Sequence, residues 1–296
     1  MRVLATRRLP GEAWSELRDV EVGMPDRRRD DVEVLIVANE TVDEAVLDLL
    51  PSLRLVANFG VGYDRIDIAA CRSRGIGVTN TPGVLDAATA DLALALMLAA
   101  RRRLVEGDDL VSGGGWDMHW ADGPFLGREV SGATLGIVGL GRIGSAVAKR
   151  ARGFDMRVIF HRLTRSNDPG YRQLDDLLRE SDIVSLHTPL SAETTGLLSR
   201  ERLALLRDGA TLVNTARGAV VDEEALIDEL MAGRITAGLD VFANEPEAPE
   251  ALRGLPNVVL TPHIASATVE TRTAMTRIVV DNVLAFERGE PLKTPV

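Results

Sequence analysis

Gly139-Leu140-Gly141-Arg142-Ile143-Gly144 constrains this chain more than any other stretch, because it follows a short apolar run, Leu135 to Val138, and leads into a helix-forming one, Ser145 to Ala151. In such a turn the first glycine permits the tight bend. The second lets a pyrophosphate approach the backbone, and the third lets helix and strand pack closely. The helix N-terminus that follows offers unpaired N–H groups to phosphate. Glycine-rich turns are common, so the spacing alone is weak. Its context is what makes it a dinucleotide site: strand-like and helix-like segments alternate along the whole chain, the pattern of an α/β fold with parallel sheets.

The chain has 296 residues, which suits two domains. Arg2 to Thr6, Val32 to Val37 and Leu53 to Asn58 predict buried strands, with helical stretches at Glu12 to Arg18 and Val42 to Leu50. A turn at Thr81-Pro82-Gly83 precedes a long Ala/Leu-rich helix, predicted from Ala87 to about Val105. A Gly- and Trp-rich loop, Ser112 to Gly127, interrupts the pattern. Strands then follow at Thr134 to Val138, Arg157 to His161, Ile183 to His187, Thr211 to Asn214, Ile235 to Leu239 and Val258 to Leu260. That rhythm is what a doubly wound nucleotide-binding sheet requires. Thr268 to Glu287 reads as an amphipathic helix.

Composition narrows the partners. Lys and Arg total 34 against 44 acidic residues, a formal charge of −10, which argues against a nucleic-acid binder. Arg27 to Arg29 sit among Asp26, Asp30 and Asp31, and Arg101 to Arg103 fall at a predicted helix end, where the dipole favours cations. The longest apolar stretch, Ala90 to Ala100, carries Asp91 and is far short of the roughly 20 residues a membrane helix needs. Met1-Arg2-Val3-Leu4 runs straight into a strand with no leader-like apolar region. A single cysteine, Cys71, suits a reducing, cytoplasmic setting.

The strand after the glycine turn decides which dinucleotide is expected. An NAD site ends it with Asp or Glu, which holds the ribose 2′-hydroxyl. Here His161 occupies that place, 17 residues past Gly144, and Arg162, Leu163, Thr164 and Arg165 follow. Two guanidinium groups and no carboxylate predict a preference for NADP(H) over NAD(H), since guanidinium suits a 2′-phosphate.

Further motifs carry a family resemblance. They are Asn58-Phe59-Gly60-Val61-Gly62-Tyr63-Asp64, Gly75 to Pro82, the glycine turn, Leu212 to Gly218, Gly238 to Phe242, Glu245-Pro246 and Thr261 to Ser266. In this order the chain resembles the D-isomer-specific 2-hydroxyacid dehydrogenases, and within them the glyoxylate/hydroxypyruvate reductases. The resemblance implies two Rossmann-like domains with doubly wound parallel sheets. The substrate domain would be discontinuous, from 1–80 and 268–296, around a dinucleotide-binding domain at 81–267. Where family members usually have another helix, this chain passes from Val22 to Val32 through a short Asp/Arg-rich link.

The resemblance also assigns roles. Arg217 would bind the substrate and polarise its carbonyl, and His263 would donate a proton. Glu245 would hold the imidazole, because a nearby negative charge favours imidazolium. Val61, Gly62, Asp240 and Ser266 would join Arg217 and His263 around the substrate. Gly139, Gly141, Arg142, Ile143, Gly144, His161, Arg162, Leu163 and Arg165 would meet the cofactor. So would Thr188, Pro189, Thr215, Ala216, Arg217, Asp240, His263 and Ala265. His187 would support the loop beside the cofactor, and no metal is expected. The Trp-rich loop, about 106–127, resembles a segment that crosses between subunits, which predicts a homodimer contacting through Trp116, Trp120 and the helix before them. The implied activity is NADPH-dependent reduction of a small 2-keto acid to the D-2-hydroxy acid. Two alternatives are a bulkier substrate (phosphohydroxypyruvate, 2-ketogluconate or an aryl pyruvate) and a non-catalytic, NAD(H)-sensing corepressor-like binder.

Overall fold

Runs of Val, Leu and Ile buried on both faces make the parallel strands of this protein, so they read as continuous apolar stretches rather than as alternation. The computed structural model describes residues 1–117 and 125–296. Two units result: Met1–Leu85 with Ser266–Val296, and Asp86–Ala265.

In the first unit, β1 (Val3–Ala5), β2 (Val20–Val22), β3 (Val34–Val37), β4 (Leu55–Asn58) and β5 (Gly77–Thr79) form one parallel sheet in the order β2-β1-β3-β4-β5. Every residue of β1, β3 and β4 is buried. Two predicted helices come out shorter. Glu12 to Arg18 is a 3-10 turn, Glu12–Glu16, entered from Gly11 at φ 96°. Val42 to Leu50 contracts to α1 (Glu44–Asp48), because the Asp43 carboxylate caps it by accepting from the Val46 N–H at 3.0 Å. α2 (Ile68–Ser73) is capped in the same way by Asp67. The Asp/Arg-rich link holds no helix; Arg29 grips Glu21 and Asp31, each at 2.9 Å, and β2 still closes the sheet edge. The tail helix Val269–Glu287 packs on β4, and the residues after it cover β5 through an antiparallel bridge between Thr79 and Pro295.

The second unit contains α3 (Asp86–Arg102), α4 (Leu104–Ser112), β6 (Thr134–Val138), α5 (Arg142–Arg152), β7 (Arg157–His161), α6 (Leu174–Glu180), β8 (Ile183–Leu186), α7 (Arg200–Leu203), β9 (Thr211–Asn214), α8 (Glu223–Met231), β10 (Thr236–Leu239) and β11 (Val258–Leu260). Its six strands are parallel, in the order β11-β10-β9-β8-β6-β7. The order reverses between β6 and β8, and open α/β sheets bind ligands at the carboxyl ends of strands at such a reversal. α3 lies on this sheet, so close that a Cβ on Gly238 would stand 2.8 Å from Leu96 Cβ.

The helix predicted to reach Val105 stops at Arg102. Arg103 turns left-handed, at φ 53°, with its guanidinium donating to Glu106 at 2.8 Å and lying 4.4 Å over the Phe125 ring. Arg101 falls in the last turn of α3, as expected. It is buried and donates to the carbonyls of Glu129 and Asp182 at 3.0 and 3.1 Å. Trp120 and His119 of the Trp-rich loop lie outside the described residues.

Candidate active site

The strand registers of the second unit bring the candidate residues to one edge of its sheet. Val138 pairs with His161 and Leu186, Leu186 with Asn214, and Leu239 with both Asn214 and Leu260. The residues that leave these strands therefore start side by side: Gly139, Arg162, His187, Thr215, Asp240 and Thr261.

Gly139 adopts φ 99° at the switch point, and a Cβ there would lie 2.6 Å from the His187 carbonyl oxygen. Only glycine fits. A Cβ on Gly141, by contrast, would meet nothing within 4 Å, so the backbone ahead of α5 is open to close approach. The buried hydroxyls of Thr188 and Thr215 find no hydrogen-bond partner among the described residues. A bare glycine turn with buried, unsatisfied hydroxyls at the same strand edge suits a dinucleotide, which would bring phosphates to the first and polar atoms to the second. Arg142 and Ile143 open α5, with Arg142 exposed beside Asp86 at 3.5 Å; Pro189 is exposed and Ala216 half-buried.

His161 ends β7 with its carbonyl accepting from the Gly139 N–H at 2.9 Å. Its Nδ1 donates to the Arg172 carbonyl at 3.1 Å, since a carbonyl can only accept. Arg162, Leu163 and Arg165 are exposed, and neither arginine makes an ion pair among the described residues. His187 is different. Desolvation holds its pKa down to about 4, so it is neutral at pH 7, with Nε2 2.8 Å from Ser185 Oγ.

Arg217, Glu245 and His263 sit on three successive loops of this edge. Asn214, at the end of β9, shapes the first loop: its amide donates to the Arg217 carbonyl at 2.9 Å and its side-chain oxygen accepts from the Ala216 N–H at 3.0 Å. Gly218 lets that loop touch the next, because a Cβ there would stand 2.0 Å from the carbonyl carbon of Phe242. On that second loop Glu245 accepts from the Phe242 N–H at 3.3 Å and from His263 Nδ1 at 2.8 Å. His263 itself is left-handed, at φ 53°.

Asp240 explains why that conformation holds. The residue is fully buried. Its Oδ1 accepts from Thr261 Oγ1 at 2.6 Å and the Ile264 N–H at 2.8 Å, and its Oδ2 from the Ala265 N–H at 2.8 Å. Its carbonyl accepts from the His263 N–H at 2.9 Å. Burial pushes its carboxyl pKa up, against the pull of these hydrogen bonds. The sequence placed Asp240 around substrate and cofactor; its side-chain hydrogen bonds run to Thr261, Ile264 and Ala265 of the loop that carries His263, and its N–H donates to the Asn214 carbonyl at 3.0 Å. Gly218 and Asn214 were missed as organisers of the site; their signal is an asparagine closing a strand just ahead of a glycine-bearing turn. Val61, Gly62 and Ser266 belong to the first unit, all three half-buried.

Among the described residues no three His, Cys, Asp or Glu side chains gather as metal ligands, and no helix is long and apolar enough to cross a membrane.

Comparison with known proteins adds three findings. Residues 94–265 match the profile of the D-isomer specific 2-hydroxyacid dehydrogenase NAD binding domain. The chain is 48% identical over 290 residues to a glyoxylate reductase of Pyrococcus furiosus, covering 94% of this chain and 86% of that one. Two solved structures are also similar. The TT0316 protein of Thermus thermophilus is 47% identical, with a TM-score of 0.93 and 100% of both chains covered. An NADPH-dependent glyoxylate/hydroxypyruvate reductase from Sinorhizobium meliloti, solved with NADP and malonate, is 36% identical, with a TM-score of 0.88, covering 100% of this chain and 96% of that one.

Proposed function

The chain belongs to the D-isomer-specific 2-hydroxyacid dehydrogenases, and we propose that within them it is an NADPH-preferring reductase of glyoxylate, hydroxypyruvate or a comparably small 2-keto acid. The observation that carries the chemistry is the 2.8 Å contact between His263 Nδ1 and Glu245, on loops adjoining that of Arg217. A nicotinamide cofactor supplies hydride to the keto carbon when bound. Arg217 neutralises the substrate carboxylate and draws charge onto the carbonyl oxygen. Because the Glu245 carboxylate accepts from Nδ1, Nε2 of His263 is the atom left to protonate that oxygen. The product is the D-2-hydroxy acid. The first unit serves as substrate domain and the second as cofactor domain.

Cofactor preference rests on the end of β7, where exposed Arg162 and Arg165 follow His161 and no carboxylate ends the strand. The relative solved with NADP supports it. Dimer formation rests on exposed apolar side chains on and near α4: Leu104, Val105, Val111, Trp116 and Leu126. The one cysteine, Cys71, is a buried free thiol, which suits the reducing cytoplasm.

A panel of 2-keto acids assayed with NADPH and NADH, following loss of reduced-nicotinamide absorbance, tests the reading. Glyoxylate and hydroxypyruvate should give the highest kcat/KM, with NADPH ahead of NADH. Turnover confined to bulkier acids, or a preference for NADH, would overturn it. Cofactor binding with no turnover of any acid would point to a sensor.

A further inference from the structure

The turn that follows β4 is held from behind by two asparagines. Asn58 Nδ2 donates to the carbonyls of Gly60 and Gly62 at 3.1 and 2.7 Å, and Asn80 Nδ2 donates to the Val61 carbonyl at 2.9 Å. The Gly60 carbonyl also accepts from the Thr81 N–H at 3.0 Å. Three successive carbonyls thus point inward, toward side chains that are themselves buried. In a trans peptide the N–H of the next residue points the opposite way. The N–H groups of Val61, Gly62 and Tyr63 are therefore turned outward together, and none finds an acceptor among the described residues. Val61 and Gly62 are half-buried and Tyr63 is exposed, so this face is open. Consecutive N–H groups on one side of a turn form a concave seat for an anion.

We propose that Asn58 and Asn80 are positioning residues that aim these three N–H groups at the substrate carboxylate, and that the tail of the chain locks Asn80 in register. The lock is a chain of hydrogen bonds. The Asn80 N–H donates to the Thr294 carbonyl at 3.2 Å, and Thr294 Oγ1 donates to the Asn80 carbonyl at 2.6 Å. Asn282, fully buried in the tail helix, donates to Thr294 Oγ1 at 3.0 Å, and its Oδ1 accepts from the N–H groups of Lys293 and Thr294 at 2.8 and 3.2 Å. Without the Asn58 amide the 60–61 and 62–63 peptides lose its inward hold and rotate more freely, which costs carboxylate binding before and during the reaction alike. The proposal rests on the keto-acid reading above.

Asn58→Leu and Asn80→Leu remove the donors while keeping the number and branching of side-chain heavy atoms, and Thr294→Val removes only the tail hydroxyl. At saturating NADPH, Asn58→Leu should raise KM for glyoxylate, and the Kd of oxalate by calorimetry, about tenfold, with Thr294→Val about threefold. The kcat and the Kd for NADPH should stay within about twofold, because only uniform carboxylate binding is lost. A folded Asn58→Leu with unchanged KM and oxalate Kd would overturn the assignment, as would a fall in kcat at constant KM. If the leucine variants fail to fold, Thr294→Val decides. A separate measurement on the unaltered protein keeps the two readings apart: oxalate should shift the amide resonances of Val61, Gly62 and Tyr63. Bound oxalate with those amides unmoved sinks the carboxylate seat and leaves the reductase reading standing. Shifted amides with no turnover of any keto acid do the reverse.

Discussion

His263 and His187 stand on the same sheet edge and are prepared for opposite tasks. His263 is half-exposed with a carboxylate at its back, while partial burial without a charged partner among the described residues keeps His187 neutral, its pKa near 4. Replacing His263 with alanine should lower kcat about a hundredfold or more, the usual contribution of a positioned proton donor, while the Kd for NADPH by fluorescence titration stays within about twofold. His187 acts on stability. Its folded pKa lies below the 6.5 of a free imidazole, so as pH falls from 6.5 toward 4 the unfolded chain takes up the proton first. Stability present above pH 6.5 is therefore lost across that window, and the melting temperature should fall between pH 7 and 4.5. His187→Asn should flatten that dependence. Arg162→Ala should raise the Kd for NADPH about tenfold or more, by loss of a charged hydrogen bond to the 2′-phosphate, and leave NADH unaffected.

At the scale of elements, the loops after β9 and β10 work as one part because Gly218 lacks a Cβ. Gly218→Ala would drive a methyl to within 2.0 Å of the Phe242 carbonyl carbon, so the loop bearing Arg217 must move off the loop bearing Glu245. A lower melting temperature and a loss of at least about tenfold in kcat/KM should follow, with NADPH affinity nearly intact. The same contrast explains what was readable beforehand. β1, β3, β4 and all six strands of the second sheet show as apolar runs, and the glycine turn shows as a spacing. β2 and β5, at three residues each, are too short to display any period and need their neighbours to be seen. Arg103 breaks a helix that its propensity would continue, for reasons that lie in Phe125 and Glu106, side chains the helix pattern leaves out. Arg217, Glu245 and His263 were visible as chemistry-bearing residues in a fixed order. Asp240, Asn58 and Asn80 hid their work, since most of the partners that define it are main-chain groups, on which residue type leaves no trace.

For the whole molecule, the apolar side chains exposed on and near α4 argue for association of two copies, and light scattering should return twice the 31.9 kDa chain mass at micromolar concentration. Trp116→Asp should shift that mass toward one copy. The bridge from Thr79 to Pro295 and the bond from the Val296 N–H to the Val78 carbonyl carry a different consequence, one for synthesis. Residues 86–265 leave the ribosome as one uninterrupted stretch and have all their strands in hand before the tail is translated. The older half waits: β5 remains an uncovered edge, open to pairing with any passing strand, until Thr294, Pro295 and Val296 clear the exit tunnel.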